Sequence, residues 1–156
     1  MKQIAFQVLV LPLLFLAACH SKPPYEGKSA ADLERMLGDP NPAVQAQGAY
    51  GLSRLGHEAR SAVPALIAAL KKDSAVRQNA ALALGQIGPE AQDAVPALCE
   101  ILHDSEWPVR RQAALALGHI GAEARQAIPV LQKLIRDPDP LVRKAAQDAL
   151  RQIRRE

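Results

Sequence analysis

One thirteen-residue motif recurs along the chain at an almost constant step. Its clearest copies are VRQNAALALGQIG at Val76–Gly88 and VRRQAALALGHIG at Val109–Gly121, and weaker copies begin at Val44 and Val142. The copies begin at residues 44, 76, 109 and 142, so the successive steps are 32, 33 and 33 residues. Self-similarity in this range predicts a stacked solenoid, in which each unit buries its apolar face against its neighbours.

Each unit is predicted to contain two helices. Val76, Ala80, Ala83, Leu84 and Ile87 recur with helical spacing and form the apolar stripe of a first helix. A glycine after each stripe is expected to end that helix with a left-handed backbone, and a proline is expected in the first turn of the second helix. The glycines are Gly56, Gly88 and Gly121, and the prolines are Pro64, Pro96 and Pro129.

Half-units are predicted at both ends of the array. Ser29–Leu37 matches a second helix without a first, with Ser29 as its N-cap. Val142–Ile153 matches a first helix without a second. There the polar Gln147 and Asp148 replace residues that are small, apolar or aromatic in the other copies, as a terminal cap requires.

The first unit differs from the others in its glycine content. Gly48 and Gly51 stand where the second unit has alanine. Glycine in a helix interior costs roughly 1 kcal/mol relative to alanine. We therefore expect this unit to be the looser one.

The repeat pattern VRxxAAxALGxIGxEAxxAVPxLxxxL resembles the HEAT-like repeats first noted in phycobilisome lyases, over essentially all of Tyr25–Arg155. The resemblance implies an all-α, right-handed α-solenoid of about four HEAT-like helical hairpins, with half-repeats at both ends. As a guide to function it is broad, because the family includes scaffolds, adaptors, lyases and a hydroxylase.

The N-terminus predicts a bacterial lipoprotein leader. Lys2 precedes an apolar run that is shorter than the about 20 residues of a spanning helix, and Leu16-Ala17-Ala18-Cys19 resembles a lipobox. We expect residues 1–18 to be removed, Cys19 to carry lipid, residues 19–28 to include a tether, and residues 29–156 to form the repeat domain. An ordinary cleaved signal peptide with a chance cysteine is the alternative. His20 is not the aspartate that resembles an inner-membrane retention signal, so the periplasmic face of the outer membrane is favoured in a Gram-negative host.

Charge and composition argue against nucleic acid as a partner. The net charge is +3 with the basic residues spread along the chain, and aromatic residues make up only 3%. The chain therefore has neither a concentrated basic patch nor a stacking platform for bases. If Cys19 is lipidated, Cys99 is the remaining thiol, and we interpret it as a small packing residue.

Arginines recur at one phase of the first helices. Arg77, Arg110 and Arg143 each follow the repeat valine, and Asp104 and Asp137 lie six residues before the latter two. HEAT-type repeats often stack such arginines against turn aspartates, so the resemblance implies a structural ion-pair ladder between repeats. An anion-binding stripe is the alternative.

We predict no catalytic residue, no metal and no cofactor. His57, His103 and His119 fall at three different repeat phases, so the repeat symmetry cannot bring them together. Deoxyhypusine hydroxylases, which are related by resemblance, hold iron with His-Glu pairs near the start of first helices, whereas His57-Glu58 follows the glycine that ends one. A HEAT-like family enzyme, either a lyase or a metal-dependent hydroxylase, is the alternative function.

One row on the second helices is predicted to face away from the core, and the resemblance places it on the concave face of the stack. Its side chains are small at one end and basic at the other, which suits an extended peptide or a partner helix. A solvated face without a ligand is the alternative. We predict a membrane-tethered protein-interaction module or scaffold of the bacterial cell envelope, with a subunit that merely stabilises an envelope complex as a further possibility. The row comprises Ala65, Ala68, Lys72, Ala97, Glu100, His103, Val130, Lys133 and Arg136, with Lys133 and Arg136 favoured as contacts.

Overall fold

The computed structural model describes residues 23–154, and this range contains eight α-helices and three 3₁₀ segments without a strand. The 3₁₀ segments join the first and second helices of the three complete units. The α-helices are α1 (Ala30–Leu37), α2 (Pro42–Leu55), α3 (Val63–Ala69), α4 (Ser74–Ile87), α5 (Val95–Ile101), α6 (Trp107–Ile120), α7 (Ile128–Leu134) and α8 (Pro140–Arg154), and the 3₁₀ segments are Gly56–Ala62, Gly88–Ala94 and Gly121–Ala127.

The helices form the two layers of a solenoid. The first helices α2, α4, α6 and α8 pack side by side, and the second helices α3, α5 and α7 each pack against the first helix of the following unit. Helix α1 packs on α2 as a second helix without a first, and α8 is a first helix without a second. The predicted all-α solenoid with half-repeats at both ends is therefore confirmed.

The predicted helical phase is also confirmed. The stripe of the second unit is buried from Val76 to Ile87, with Leu84 fully inaccessible to solvent. Ser29 caps α1 through a reciprocal capping box with Asp32. These features are local and periodic, so the sequence pattern was sufficient to predict them.

Glycine allows the first helices to approach closely. A Cβ atom built on Gly85 would lie 2.9 Å from Cα of Ala116, and one built on Gly118 would lie 3.0 Å from Cα of Ala149. Side chains at these positions would therefore meet the backbone of the next helix. The equivalent position in α8 is Arg151, whose side chain would obstruct an equally close approach of another helix.

The helix-ending glycines adopt positive φ, as expected, but not the ordinary left-handed helical conformation. Their φ angles are 56°, 80° and 76° at Gly56, Gly88 and Gly121, and their ψ angles are −132°, −140° and −138°. This combination is open essentially only to glycine. The chain therefore turns directly from each first helix into its 3₁₀ segment.

The two glycines behind the expectation of a loose first unit lie at close contacts between elements. Gly48 and Gly51 are both buried, and a Cβ on Gly48 would lie 2.8 Å from the carbonyl oxygen of Leu33 in α1. A Cβ on Gly51 would lie 2.8 Å from Cβ of Tyr25. The two glycines thus make room for the N-terminal cap of the stack, in which the rings of Tyr25 and Tyr50 meet edge to face at 5.1 Å.

The predicted leader and lipidation site lie outside the described residues. This applies to residues 1–18, to Cys19 and to the tether as far as residue 22, whereas residues 24–27 form a turn. Among the described helices, none combines the length and apolar character needed to cross a bilayer.

Candidate functional site

The arginines of the first helices bridge two successive turns of the stack. Arg110 places Nε and Nη2 on the carboxylate of Asp137 at 2.8 and 3.0 Å, and Asp137 follows the second helix of the same unit. Its Nη1 donates to the carbonyl oxygens of Asp104 and Ser105 at 2.8 and 3.0 Å, in the turn before its own helix. One guanidinium thereby ties the beginning of a unit to its end.

The spacing of six residues between aspartate and arginine has a different meaning from the one expected. At that spacing Arg110 meets the backbone carbonyl of Asp104, whereas the carboxylate it binds comes 27 residues later in the chain. Arg77 has the same two kinds of partner, but its carbonyl partner lies five residues before it: Nη1 is 2.6 Å from the carbonyl oxygen of Lys72, and Nη2 is 3.0 Å from Oδ1 of Asp104. Its Nε lies 2.7 Å from Oδ2 of Asp104 but is not aligned to donate a hydrogen bond.

Both of these carboxylates are largely sequestered from solvent. The side chain of Asp137 is 7% exposed and that of Arg110 is 15% exposed. The hydrogen bond from Arg110 lowers the pKa of Asp137, burial opposes this shift, and the backbone N–H of Asp139 reinforces it. Because the charges of Arg77 and Arg110 are already matched, these two residues act as structural links and leave no open anion site.

The ladder ends differently at its two termini. In the first unit Gln45 takes the arginine position, and its side-chain amide donates to the carbonyl of Asp39. In the fourth unit Arg143 donates through Nη1 to the carbonyl oxygens of Asp137 and Pro138 at 2.8 and 2.9 Å. Between residues 23 and 154, no carboxylate pairs with the Nε and Nη2 edge of Arg143.

The predicted partner-binding row is mostly accessible. Glu100, His103, Lys133 and Arg136 are exposed, whereas Val130 is half-buried against the core. Lys72 and His103 lie beyond the ends of α3 and α5, and not on these helices as expected. Helix α7 likewise ends at Leu134, so Arg136 lies in the turn after it. Its N–H donates to the carbonyl of Lys133 at 3.1 Å, and a turn of three residues keeps the two cations in phase.

At the N-terminal end of this row, a groove opens between α1 and α3. Ala65, Ala68 and Lys72 of the predicted row line one wall, and Ala31 and Leu37 contribute to the other. The α1 residues were not part of the predicted row, although the match of Ser29–Leu37 to the second helices could have placed them there. Ala97 occupies the position equivalent to Ala65 in the next unit and is half-buried.

The residues considered for metal binding or nucleophilic chemistry remain separate. His57, His103 and His119 are exposed on different parts of the stack. No group of three or more His, Cys, Asp or Glu side chains within residues 23–154 is placed to hold a metal ion. Cys99 is half-buried against the core, and burial raises the pKa of its thiol, which disfavours the reactive thiolate.

Comparison with protein families identifies the class of this protein. The model of the HEAT repeats matches residues 29–118 and 95–156, so the chain belongs to the HEAT-repeat family. No curated protein matches the chain significantly.

Several solved structures share the fold. An engineered protein is 32% identical with a TM-score of 0.69, over 80% of this chain and 62% of its own. A designed armadillo repeat protein, solved in complex with the peptide (KR)4, is 19% identical with a TM-score of 0.70, over 80% of this chain and 64% of its own. The complex of CpcE and CpcF of phycocyanin lyase from Nostoc sp. PCC7120 is 24% identical with a TM-score of 0.59, over 87% of this chain and 70% of that one. This chain thus spans less than two thirds of the engineered and designed proteins.

Proposed function

We propose that this HEAT-repeat protein is a lipid-anchored protein-interaction module of the bacterial cell envelope, which binds a peptide or helix of a partner protein on its second-helix face. The observation that carries the binding proposal is the exposure of Glu100, His103, Lys133 and Arg136 at recurring positions of the second helices and of the turns that follow them. The side chains that face the core on the same helices are buried, so this row is free to contact a partner.

The character of the row limits the kind of partner. Its N-terminal part is a groove whose small and apolar side chains are bordered by Glu34, Arg35 and Lys72. Its C-terminal part carries Lys133 and Arg136 beside the half-buried Val130. A matching ligand presents apolar side chains at one end and carboxylates at the other. The peptide-bound designed armadillo protein is an example of an α-repeat stack that holds a peptide, although its basic peptide has the opposite charge.

The anchor is supported by the N-terminal sequence alone. A charged residue, a short apolar run and Leu16-Ala17-Ala18-Cys19 match the features of a lipoprotein leader. Acyl chains on Cys19 would supply the membrane affinity that no described helix provides. In a Gram-negative host, His20 favours the periplasmic face of the outer membrane.

The binding face is tested by reversing its two cations. The double variant Lys133→Glu/Arg136→Glu should lose partners that are crosslinked in intact cells and identified by mass spectrometry. Its thermal unfolding should stay close to wild type, because exposed charges contribute little to folding. The matched control is Arg60→Glu/Arg125→Glu, which makes the same change in charge at exposed positions of two 3₁₀ segments. Equal partner recovery from both double variants would refute the assignment of this face.

The anchor and the enzymatic alternative have separate tests. Cys19→Ser should release the protein from the membrane fraction or stall its processing, and a cleaved variant that stays on the membrane would refute lipidation. Tightly held iron in the purified protein that is lost on changing His57 and Glu58 would favour a hydroxylase-like enzyme over the interaction module.

A further inference from the structure

Arg143, the last arginine of the ladder, makes only part of the contacts that Arg110 makes. Arg143 keeps the two carbonyl hydrogen bonds that hold Arg110, at 2.8 and 2.9 Å. In Arg110 the Nε and Nη2 edge binds Asp137, which follows a second helix, and α8 has no second helix after it in the described chain. Because the same bonds fix the guanidinium, the open edge of Arg143 is set to receive a carboxylate at the end of the stack.

An apolar groove lies on the same face of α8. It is lined by Ile135 and Leu150 together with the polar chains of Gln147, Arg151 and Arg154. Ile135 is 38% exposed, whereas Leu102, its equivalent in the preceding unit, is fully buried. Gln147 of the groove follows Arg143 by one helical turn, so these two residues lie on the same face of α8.

The charge of this surface favours an acidic partner. Along the described part of α8, Arg143, Lys144, Arg151 and Arg154 stand against Asp148 as the single acidic residue. Asp148 pairs with Arg151, which leaves the remaining cations unmatched along the helix. Oppositely charged surfaces attract and orient each other, so a partner segment rich in Asp and Glu is favoured.

We propose that this C-terminal face binds a single acidic amphipathic helix of a partner protein, which lies along the exposed side of α8. The partner helix packs apolar side chains on Ile135 and Leu150. An aspartate just beyond its C-terminal end binds Nε and Nη2 of Arg143. The template for this contact is the turn after α5, where Asp104 binds Arg77.

A second copy of this chain does not fit the same place. Continuing the stack would bring another first helix against α8, as α8 itself lies against α6, and that approach requires Gly118. Arg151 occupies the equivalent position in α8. At the other end of the stack, the apolar side of α1 is already buried within the protein, because Leu33 and Leu37 are 1% and 5% exposed. It is therefore not available to pack on α8 of a second copy. A lone helix from another protein avoids both obstacles. This surface is distinct from the second-helix face, so the inference is independent of the proposed function.

The test uses a peptide probe and the full-length protein in mild detergent. The probe is a fluorescein-labelled copy of Ala94–Glu106 carrying Cys99→Ala, and its binding is measured by fluorescence anisotropy. We expect saturable binding, weakened about fivefold to tenfold by Arg143→Gln, because a bidentate charge-assisted contact is lost. The control Arg125→Gln removes the same charge from an exposed 3₁₀ position and should change binding by less than about twofold.

Two further variants separate a specific contact from a general loss of charge or fold. A probe with Asp104→Asn should bind the wild-type protein as weakly as the original probe binds the Arg143→Gln variant. Combining the two changes should weaken binding no further. Arg143→Gln should remain folded, because Gln45 occupies the same ladder position and keeps the carbonyl hydrogen bond. An unchanged circular-dichroism melting curve for the variant checks this.

Four outcomes would overturn the proposal. They are the absence of saturable binding up to about 1 mM probe, equal losses from Arg143→Gln and Arg125→Gln, and probe binding that depends on Lys133 and Arg136 instead. The fourth is concentration-dependent self-association that both Arg143→Gln and Asp39→Asn abolish, measured by sedimentation, which would identify a second copy as the occupant.

Discussion

Replacing arginine by glutamine at two rungs of the ladder should have very different effects on stability. Arg110→Gln removes two charge-assisted hydrogen bonds to Asp137, whose side chain is 7% exposed and keeps only the backbone N–H of Asp139 as a partner. Breaking a buried pair costs about 3–5 kcal/mol and an exposed pair about 0–1 kcal/mol. The partial burial of this pair places the expected loss at about 2–3 kcal/mol. Arg143→Gln removes no carboxylate contact within the described chain and should cost less than about 0.5 kcal/mol.

The two variants are compared by urea denaturation followed by circular dichroism. Both lose one positive charge from the same ladder position, so they differ chiefly in whether a carboxylate is left without its partner. A short array of tightly coupled repeats is expected to unfold cooperatively, which allows the free energies to be compared. Asp137→Asn combined with Arg110→Gln should cost less than the sum of the single changes. Equal midpoints for Arg110→Gln and Arg143→Gln would refute the assignment of Asp137 as a buried partner.

The remaining predictions concern pH and packing. The pKa of Asp137 is lowered on folding, so its contribution to the free energy of unfolding is present above its unfolded pKa of about 3.9. This contribution is lost as the pH falls through the lower folded value. In the variant Asp137→Asn the free energy of unfolding should therefore depend less on pH in that range. Gly85→Ala should destabilise by about 1–2 kcal/mol in urea titrations despite its better helix propensity, because the new Cβ meets the α6 backbone, whereas Gly38→Ala at an exposed position with negative φ should stay within about 0.5 kcal/mol. Leu117→Ala should cost about 2–5 kcal/mol and the exposed Arg60→Ala less than about 0.5 kcal/mol, and equal denaturation midpoints would contradict the helical phase.

The helices, their buried faces and the repeat architecture could all be predicted from the amino-acid pattern. Helix periodicity is local, and four copies of one pattern report the same phase independently, so Leu84 and Leu117 could be assigned to the core without coordinates. Capping is equally local, as Ser29 with Asp32 illustrates. The exposure of Lys133 and Glu100 followed from the same periodicity, because a residue opposite the buried stripe of a helix faces solvent.

The contacts between residues of different helices and turns could not be predicted in the same way. Arg110 binds Asp137 rather than the carboxylate nearer in sequence, because the solenoid brings the end of a second helix beside the beginning of its own first helix. In the sequence Gly48 indicates a weakened helix, whereas in the structure it allows α1 to pack closely against α2. The open edge of Arg143 was not predicted either, since a repeated arginine predicts a repeated pair, whereas within residues 23–154 no carboxylate pairs with this edge. These contacts depend on the distance and orientation between units, which a one-dimensional pattern does not contain.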